Sequence, residues 1–282
     1  MLFARKKKSR PLEQIKAHYE IEKELAARLF HSPKEERLRL YSSLYNELFL
    51  RVPHHPQLVR KDSPQAIRKA VAPQLGFLRR FLKDHFLFVE LGPGDCSLSL
   101  EVAKSVKGVV GLEVSREIAG RPFFSPNFQL ALFDGCNLPL SNRTVDIVYS
   151  NQVMEHLHPD DAVEQLQSIF AILKPGGLYV CLTPNRINGP HDISRYFDRI
   201  ATGFHLHEYT NTELGNLLTR AGFSKIRFFV RVRGYYFPFP FFAIKWGERF
   251  LTLMPYVLRK FLASRFPFRN LLGIRLGAVK AT

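Results

Sequence analysis

From residue 86 onward the hydrophobic pattern changes texture. Short apolar runs, read as strands at 86–91, 108–113, 128–132, 145–150 and 178–182, alternate with segments whose apolar residues recur at helical spacing. The plainest such helix covers 160–173 and is ended by Lys174-Pro175-Gly176-Gly177. Runs that are apolar throughout suit strands buried on both faces, which predicts a parallel sheet sandwiched by helices. A further helix at 210–221, closed by Gly222, leads to strand-like runs at 225–232 and 273–280. Ahead of residue 86 the period is helical. Ile15, Tyr19, Leu25 and Leu29 recur on one helix. Ser32-Pro33 followed by Glu35-Glu36 then reads as an N-cap, a first-turn proline and acids at the positive end of the dipole. The second helix turns Leu38, Tyr41, Leu44, Tyr45 and Leu48 inward. Pro53, Pro56 and Pro64 break the pattern before another helical stretch at about 65–83, around Pro73. There is no internal repeat and no low-complexity tract.

With 282 residues, 46% of them apolar and 13% aromatic, the chain has the composition of a core-forming protein. Disordered, collagenous and disulfide-stapled classes are excluded. Three cysteines, an odd number with no CxxC pair, read as thiols in a reducing compartment and argue against a zinc site. The basic residues 1–10 are followed by Glu13, Lys16 and Glu20 and by no apolar run, so they do not read as a signal peptide, and a cytoplasmic location is expected. The net charge of +16 is uneven: residues 1–80 carry 18 basic and 8 acidic groups, 81–180 carry 7 and 12, and 181–282 carry 16 and 5. Basic flanks around an acidic middle suit an anionic partner, whether phosphate-bearing substrate, membrane surface or nucleic acid. A solubilising surface accounts for the charge equally well.

The chemistry starts at Val89-Glu90-Leu91-Gly92-Pro93-Gly94-Asp95-Cys96-Ser97, which ends the first strand and opens a helix, so the backbone must turn tightly where a ligand can approach. Glu113 lies 21 residues past Gly92 at the end of the next strand, where a carboxylate can accept both hydroxyls of a ribose. Asp134-Gly135 ends the third strand and offers a second acid near a possible adenine amino group. A dinucleotide-binding oxidoreductase would share the first two features but usually needs a third glycine where this chain has Cys96.

Over about residues 85–230 the chain resembles the class I S-adenosylmethionine-dependent methyltransferases. The matching pieces, in order, are FVELGPGD, the Glu of VVGLEVS, FDGCNLPLSNRTVDIVYSNQVMEHLHP, ILKPGGLYVCLTPN and HLHEYTNTELGNLLTRAGF. The resemblance implies a doubly wound, mostly parallel α/β sheet of seven strands, whose last strand, 273–280, is antiparallel and lies between the two before it. It implies S-adenosyl-L-methionine as cofactor, with Glu90, Gly92 and Gly94 at the methionine end and Glu113 on the ribose. Asp134 and the Gly135-Cys136 backbone would meet the adenine, with Asn151 beside the cofactor. The expected organisation is an N-terminal helical lid (1–84), a cofactor-binding core (85–234), an aromatic and basic cap insertion (235–272) and the last strand (273–282). A narrower resemblance, to bacterial methyltransferases acting on sugars or other glycan precursors, rests on the segment after the fifth strand and on the tyrosine-rich helix pair with Val52-Pro53-His54-His55-Pro56.

A base is needed only if the nucleophile must lose a proton. The candidates are His191 and Asp192, in Pro190-His191-Asp192-Ile193-Ser194-Arg195-Tyr196, and His205, which alternates with Leu206 and His207 ahead of a helix. Ligands of doubly wound sheets sit beyond the carboxyl ends of the strands, where these residues fall. Glu155-His156 reads first as a capped helix start. The stretch 235–268 is dense in aromatics interspersed with Lys245, Arg249, Arg259, Lys260, Arg265 and Arg269, too charged and proline-broken to span a bilayer. It is expected to form a helical cap over the substrate pocket, the other reading being an amphipathic surface on lipid headgroups. Nucleic acid is not expected, since no RNA-binding motif accompanies the aromatics. The sequence reads as an O-methyltransferase of a glycan-type or other small-molecule acceptor. The alternatives are a lipid or quinone-like acceptor, with peripheral membrane contact, and a non-catalytic cofactor-binding partner protein.

Overall fold

The computed structural model describes residues 10–59, 63–115 and 125–281, so most of the basic N-terminal stretch 1–10 lies outside the described residues. Two long helices, α1 (Leu12–His31) and α2 (Lys34–Arg51), are followed by the short α3 (Pro56–Val59) and by α4 (Pro64–Leu78). Strands β1 (Leu87–Leu91), β2 (Gly108–Glu113), β3 (Phe128–Leu132), β4 (Val145–Asn151) and β5 (Leu173–Thr183) come next, with α5 (Ser97–Ala103) and α6 (Pro159–Ile172) among them. The chain then runs through α7 (Asn211–Arg220), β6 (Phe223–Val232), β7 (Tyr235–Phe239), α8 (Phe241–Thr252), α9 (Tyr256–Ala263), α10 (Phe268–Leu272) and β8 (Ile274–Lys280).

Among the described residues these strands form one eight-stranded sheet, in the order β3-β2-β1-β4-β5-β8-β6-β7. Strands β1 to β5 pair in parallel, and β8 is antiparallel to both β5 and β6 and lies between them. That is the seven-stranded arrangement expected, with one addition: Tyr235–Phe239, assigned from sequence to the cap, pairs antiparallel with β6 as an edge strand. Its Pro238 sits at this edge, where a missing N–H is tolerated. The Lys174-Pro175-Gly176-Gly177 turn is absorbed into β5 as an irregularity, the register jumping from Val145↔Leu173 to Ile147↔Leu178.

Helices cover both faces. Phe88, Ile147 and Tyr149 pack toward α4 and α5 through Val71, Phe77, Leu98 and Val102. Val89, Leu91 and Val148 belong to the opposite cluster, shared with α6, α7 and the α1–α2 pair through Leu25, Leu29, Leu44 and Leu48. The N-terminal segment therefore divides, α1–α2 covering one face and α4 the other. Burying a side chain of this size is worth about 1.5–3 kcal/mol, so α1–α2 is anchored as part of the core. A buried network adds direction. The Arg37 guanidinium donates twice to Asp161 of α6 at 2.7 and 2.5 Å, and the Tyr41 hydroxyl donates to the same carboxylate at 2.7 Å. The α2 start differs by one position from the reading above: Pro33 takes the N-cap place and Ser32 ends α1, its hydroxyl donating to the Arg28 carbonyl.

Candidate functional site

At the end of β1 the chain makes three left-handed steps, Gly92 (φ 61°), Gly94 (φ 55°) and Cys96 (φ 56°), before α5 begins. Cys96 adopts the conformation that a glycine takes freely, at a cost of about 1–2 kcal/mol. A Cβ built on Gly94 would meet nothing within 4 Å, so the turn leaves open space on that side. Glu113 faces this turn. It is buried, its carboxylate accepting the Gly94 N–H at 3.2 Å and the Val114 N–H at 2.8 Å. Burial pushes its pKa upward, and these backbone donors work against that rise. Glu90 lies on the α5 side of β1, fully enclosed, with the Ser99 hydroxyl donating to it. Burial, with Asp95 and Glu113 nearby, lifts its pKa to about 8.

Asp134 organises the turn after β3, accepting from the Cys136 N–H (2.8 Å), the Asn137 N–H (2.7 Å) and the Asn137 side-chain amide (2.6 Å). The Cys136 N–H is thus already spent within the turn. Tyr41 of α2 lies against Gly135, close enough that a Cβ there would stand 3.1 Å from its ring. Asn151 ends β4 and donates to Gln74 of α4 at 3.1 Å, the same amide oxygen that accepts the Tyr149 hydroxyl. No sequence signal marks Gln74 or Tyr41 as neighbours of this edge.

Farther along the same edge a pocket of about 270 Å³ brings together His191, Asp192 and His205. Its other wall is N-terminal: His18 and Glu22 from α1, Tyr45 from α2, and His55. Glu22 accepts the Phe204 N–H at 3.0 Å and pairs with His18 at 2.8 Å. No residue of 235–272 lines this pocket. The cap stands beside it and touches its loop through Lys260, which donates to the Asn188 and Gly189 carbonyls.

The three candidates are not equivalent. His205 is buried and its Nδ1 meets the Glu208 carboxylate at 2.7 Å, which fixes the proton on Nδ1 and leaves Nε2 to act. Burial alone would lower its pKa, but the Glu208 hydrogen bond and the charges of Glu155 and Asp192 raise it above the ordinary value. The His191 ring is committed, its Nε2 lying 3.1 Å from both the Asn185 carbonyl and the Asn188 side chain, and burial lowers its pKa. Asp192 caps the next turn, accepting from Ser194 and from the Gly203 N–H. Glu155-His156 does not open α6, which starts at Pro159 with His158 as its cap. It forms a separate buried 3₁₀ turn. Glu155 accepts the Thr183 hydroxyl at 2.8 Å while its other oxygen has no hydrogen-bond partner among the described residues, and burial raises its pKa to about 7. His156 donates from Nδ1 to the Phe204 carbonyl at 2.9 Å and is held neutral by burial, with a pKa of about 3. Donor atoms of Glu155, His156 and His205, and likewise of His18, Glu22 and His55, gather within 4.8 Å of one another, a donor set that can hold a cation or share protons.

A doubly wound sheet with a reversed strand near one edge, a glycine turn and a facing strand-end acid places the chain in the doubly wound α/β class, whose ligands sit beyond the carboxyl ends of the strands. Within that class the chain belongs to the methyltransferase domain family, whose model matches residues 59–227. It is 32% identical over 137 residues to a Mycolicibacterium smegmatis protein named as an S-adenosylmethionine-dependent methyltransferase, covering 48% of this chain and 51% of that one. It is 30% identical over 113 residues to a demethylmenaquinone methyltransferase of Symbiobacterium thermophilum, covering 36% and 43%. The chain thus spans about half the length, or less, of these two relatives. The fold is shared with the methyltransferase solved in complex with the Haloferax volcanii Trm112 methyltransferase activator, at a TM-score of 0.55 and 17% identity over 77% of this chain and 93% of that one.

Proposed function

We propose that the chain is an S-adenosyl-L-methionine-dependent methyltransferase acting on a hydroxyl of a glycan-related or other small-molecule acceptor bound in the 270 Å³ pocket. The observation that carries this reading is the His205–Glu208 pair, a buried imidazole with one nitrogen anchored and the other available, on the same strand-carboxyl edge as the glycine turn with open space at Gly94. S-adenosylmethionine would supply there a methyl group already activated by its sulfonium. Glu113 would accept the ribose hydroxyls, and Glu90, Gly92 and Gly94 would border the methionine end. A carboxylate has about four acceptor positions, of which Asp134 uses three, so one remains for an adenine amino group. Asn151, with Gly135 and Cys136, completes the rim. Nε2 of His205 takes the hydroxyl proton of the acceptor while Glu208 keeps the ring oriented, and Tyr45 and Phe204 help to exclude water.

A second reading, a lipid or quinone-like acceptor, is favoured by the apolar exposure of α8–α9 and by the name of the Symbiobacterium relative. Incubation with methyl-labelled cofactor and extract fractionated into nucleotide sugars, polysaccharide, lipid, RNA and protein separates the readings. Label in the glycan or small-molecule fractions is the expected result, and label confined to lipid replaces the first reading with the second. Stoichiometric cofactor binding with no label anywhere overturns both and leaves a non-catalytic binding module.

A further inference from the structure

The helices after β7 present a surface that no other described residue covers. On α8, Ile244, Glu248 and Leu251 face inward, whereas Phe242, Trp246, Phe250 and Leu253, at intervals that place them on one side of the helix, are 46–75% exposed. On α9, Val257 (79%), Leu258 (43%) and Phe261 (52%) continue the patch, and Phe266 (74%) extends it. Single exposed apolar residues are ordinary, but eight on two successive helices and the residues just after them are not. The charges in this stretch have one sign where solvent reaches them. Lys245, Arg249, Arg265 and Arg269 are exposed, Arg259 and Lys260 are half-buried, and Glu248, the one acid, is buried and accepts from Asn185, Asn211 and Thr212. A groove of about 590 Å³ runs beside Trp246, walled by Ile187, Phe242 and Leu253 with Arg186, Lys245 and Arg249 around it. Arg186 there is paired with Glu213 at 2.7 Å.

We propose that this α8–α9 face is a docking surface for an anionic lipid bilayer, with the aromatic and aliphatic side chains entering the headgroup region and Lys245 and Arg249 meeting lipid phosphates. Two observations select a bilayer over a protein partner or a second copy of the chain. Exposed cations flank the apolar stripe on the same side of the helix, as in interfacial helices whose basic side chains snorkel to headgroups, and that uniform sign would repel a second copy of the same face. The surface also runs on to the rim of the acceptor pocket. Arg199 stacks on Tyr256 at the start of α9, its neighbours Tyr196 (49%), Phe197 (38%) and Ile200 (70%) are exposed, and Arg195 and Tyr196 line the pocket. Docking would thus set the pocket mouth at the membrane surface. No described helix is long and apolar enough to cross a membrane, so the contact is one of lying on the surface. The inference stands on surface chemistry and does not depend on methyl transfer.

Trp246 is the only tryptophan in the chain, which makes its fluorescence a direct probe. Titration with phosphatidylglycerol-containing vesicles should shift its emission to the blue and cosediment the protein. Affinity should fall as salt rises, and by roughly fivefold for each basic group removed in Lys245→Gln and Arg249→Gln. Phosphatidylcholine vesicles should bind far more weakly. Leu253→Asp with Val257→Asp should abolish the shift while circular dichroism and the thermal transition stay as in the parent. An unchanged Trp246 spectrum with anionic vesicles overturns the proposal. So does a blue-shifted spectrum without vesicles in a protein that sediments as a dimer, which would make the face an interface between copies. No acceptor or cofactor is present in this experiment, so its failure leaves the proposed transfer reaction standing.

Discussion

The two ends of the strand-carboxyl edge are built differently. At the β1–β3 end each acid is held within its own neighbourhood or by the adjacent turn: Glu113 by the Gly94 and Val114 backbone, Asp134 by Cys136 and Asn137, Glu90 by Ser99. Beyond β4 and β5 many of the partners come from far along the chain. Glu22 takes the Phe204 N–H across 182 positions, the Tyr19 hydroxyl donates to Asp198 at 2.6 Å, and Tyr45 meets His156 across 111 positions. Short-range holding needs only the local turn and strand, whereas the pocket exists only when α1–α2 is docked. The acids of the first end should therefore keep their partners when the N-terminal helices loosen, although Gly135 would lose its cover by Tyr41, whereas the pocket would be lost.

The largest effect that would sharpen this contrast is at His205. His205→Gln should lower turnover roughly 10²–10⁴-fold with cofactor affinity unchanged by calorimetry. Because the imidazole must be neutral to accept a proton and its pKa is raised, wild-type turnover should climb with pH through a midpoint above 6.5. A flat pH profile and near-normal turnover in the variant would move the base elsewhere. Next in size is the clamp between α2 and α6. Asp161→Ala strands the buried Arg37 guanidinium and should cost about 3–5 kcal/mol in urea unfolding. A loss below about 1 kcal/mol would show that apolar packing alone docks the lid, and the proposed difference between the two ends would narrow.

Glu113→Ala should weaken cofactor binding by about 1–3 kcal/mol through loss of charge-assisted hydrogen bonds, and unchanged affinity in a folded variant would remove the ribose assignment. Glu90 gives a pH-dependent effect on stability in place of one on cofactor binding. Its folded pKa of about 8 lies above the ordinary 4.5, so the stability it contributes is full at low pH and is lost as pH rises toward 8. Relative to Glu90→Gln, whose amide does not titrate, the wild type should lose stability over that window by on the order of 1 kcal/mol per pH unit, and parallel pH curves for the two would refute this. The smallest change is expected at His191→Gln. Its ring nitrogen is already spent on Asn185 and Asn188, so turnover should stay within about tenfold of normal, and a larger loss would reinstate it beside His205.

The sequence by itself determined the sheet, because apolar runs of strand length at 86–91, 108–113 and 145–150 announce burial on both faces, and the run at 128–132, with Gln129 inside it, forms the exposed edge strand. The β2 and β3 bounds agree residue for residue, and Thr210 caps α7 through the hydroxyl and the Glu213 side chain that precede and open the helix. It also determined where the glycine turn, Glu113 and Asp134 lie, since each is tied to a strand end and held by near neighbours. Only the tertiary structure decided that Glu22, Tyr45 and His55 would face His205, that Tyr41 would cover Gly135, and that Tyr235–Phe239 would join the sheet. It also decided that the cap would leave its apolar side in the open instead of closing over the pocket. The reason is the same in each case. A period of two or of 3.6 residues tells which side of an element is apolar, but which other element, or solvent, meets that side depends on how distant segments pack, and no local pattern encodes it.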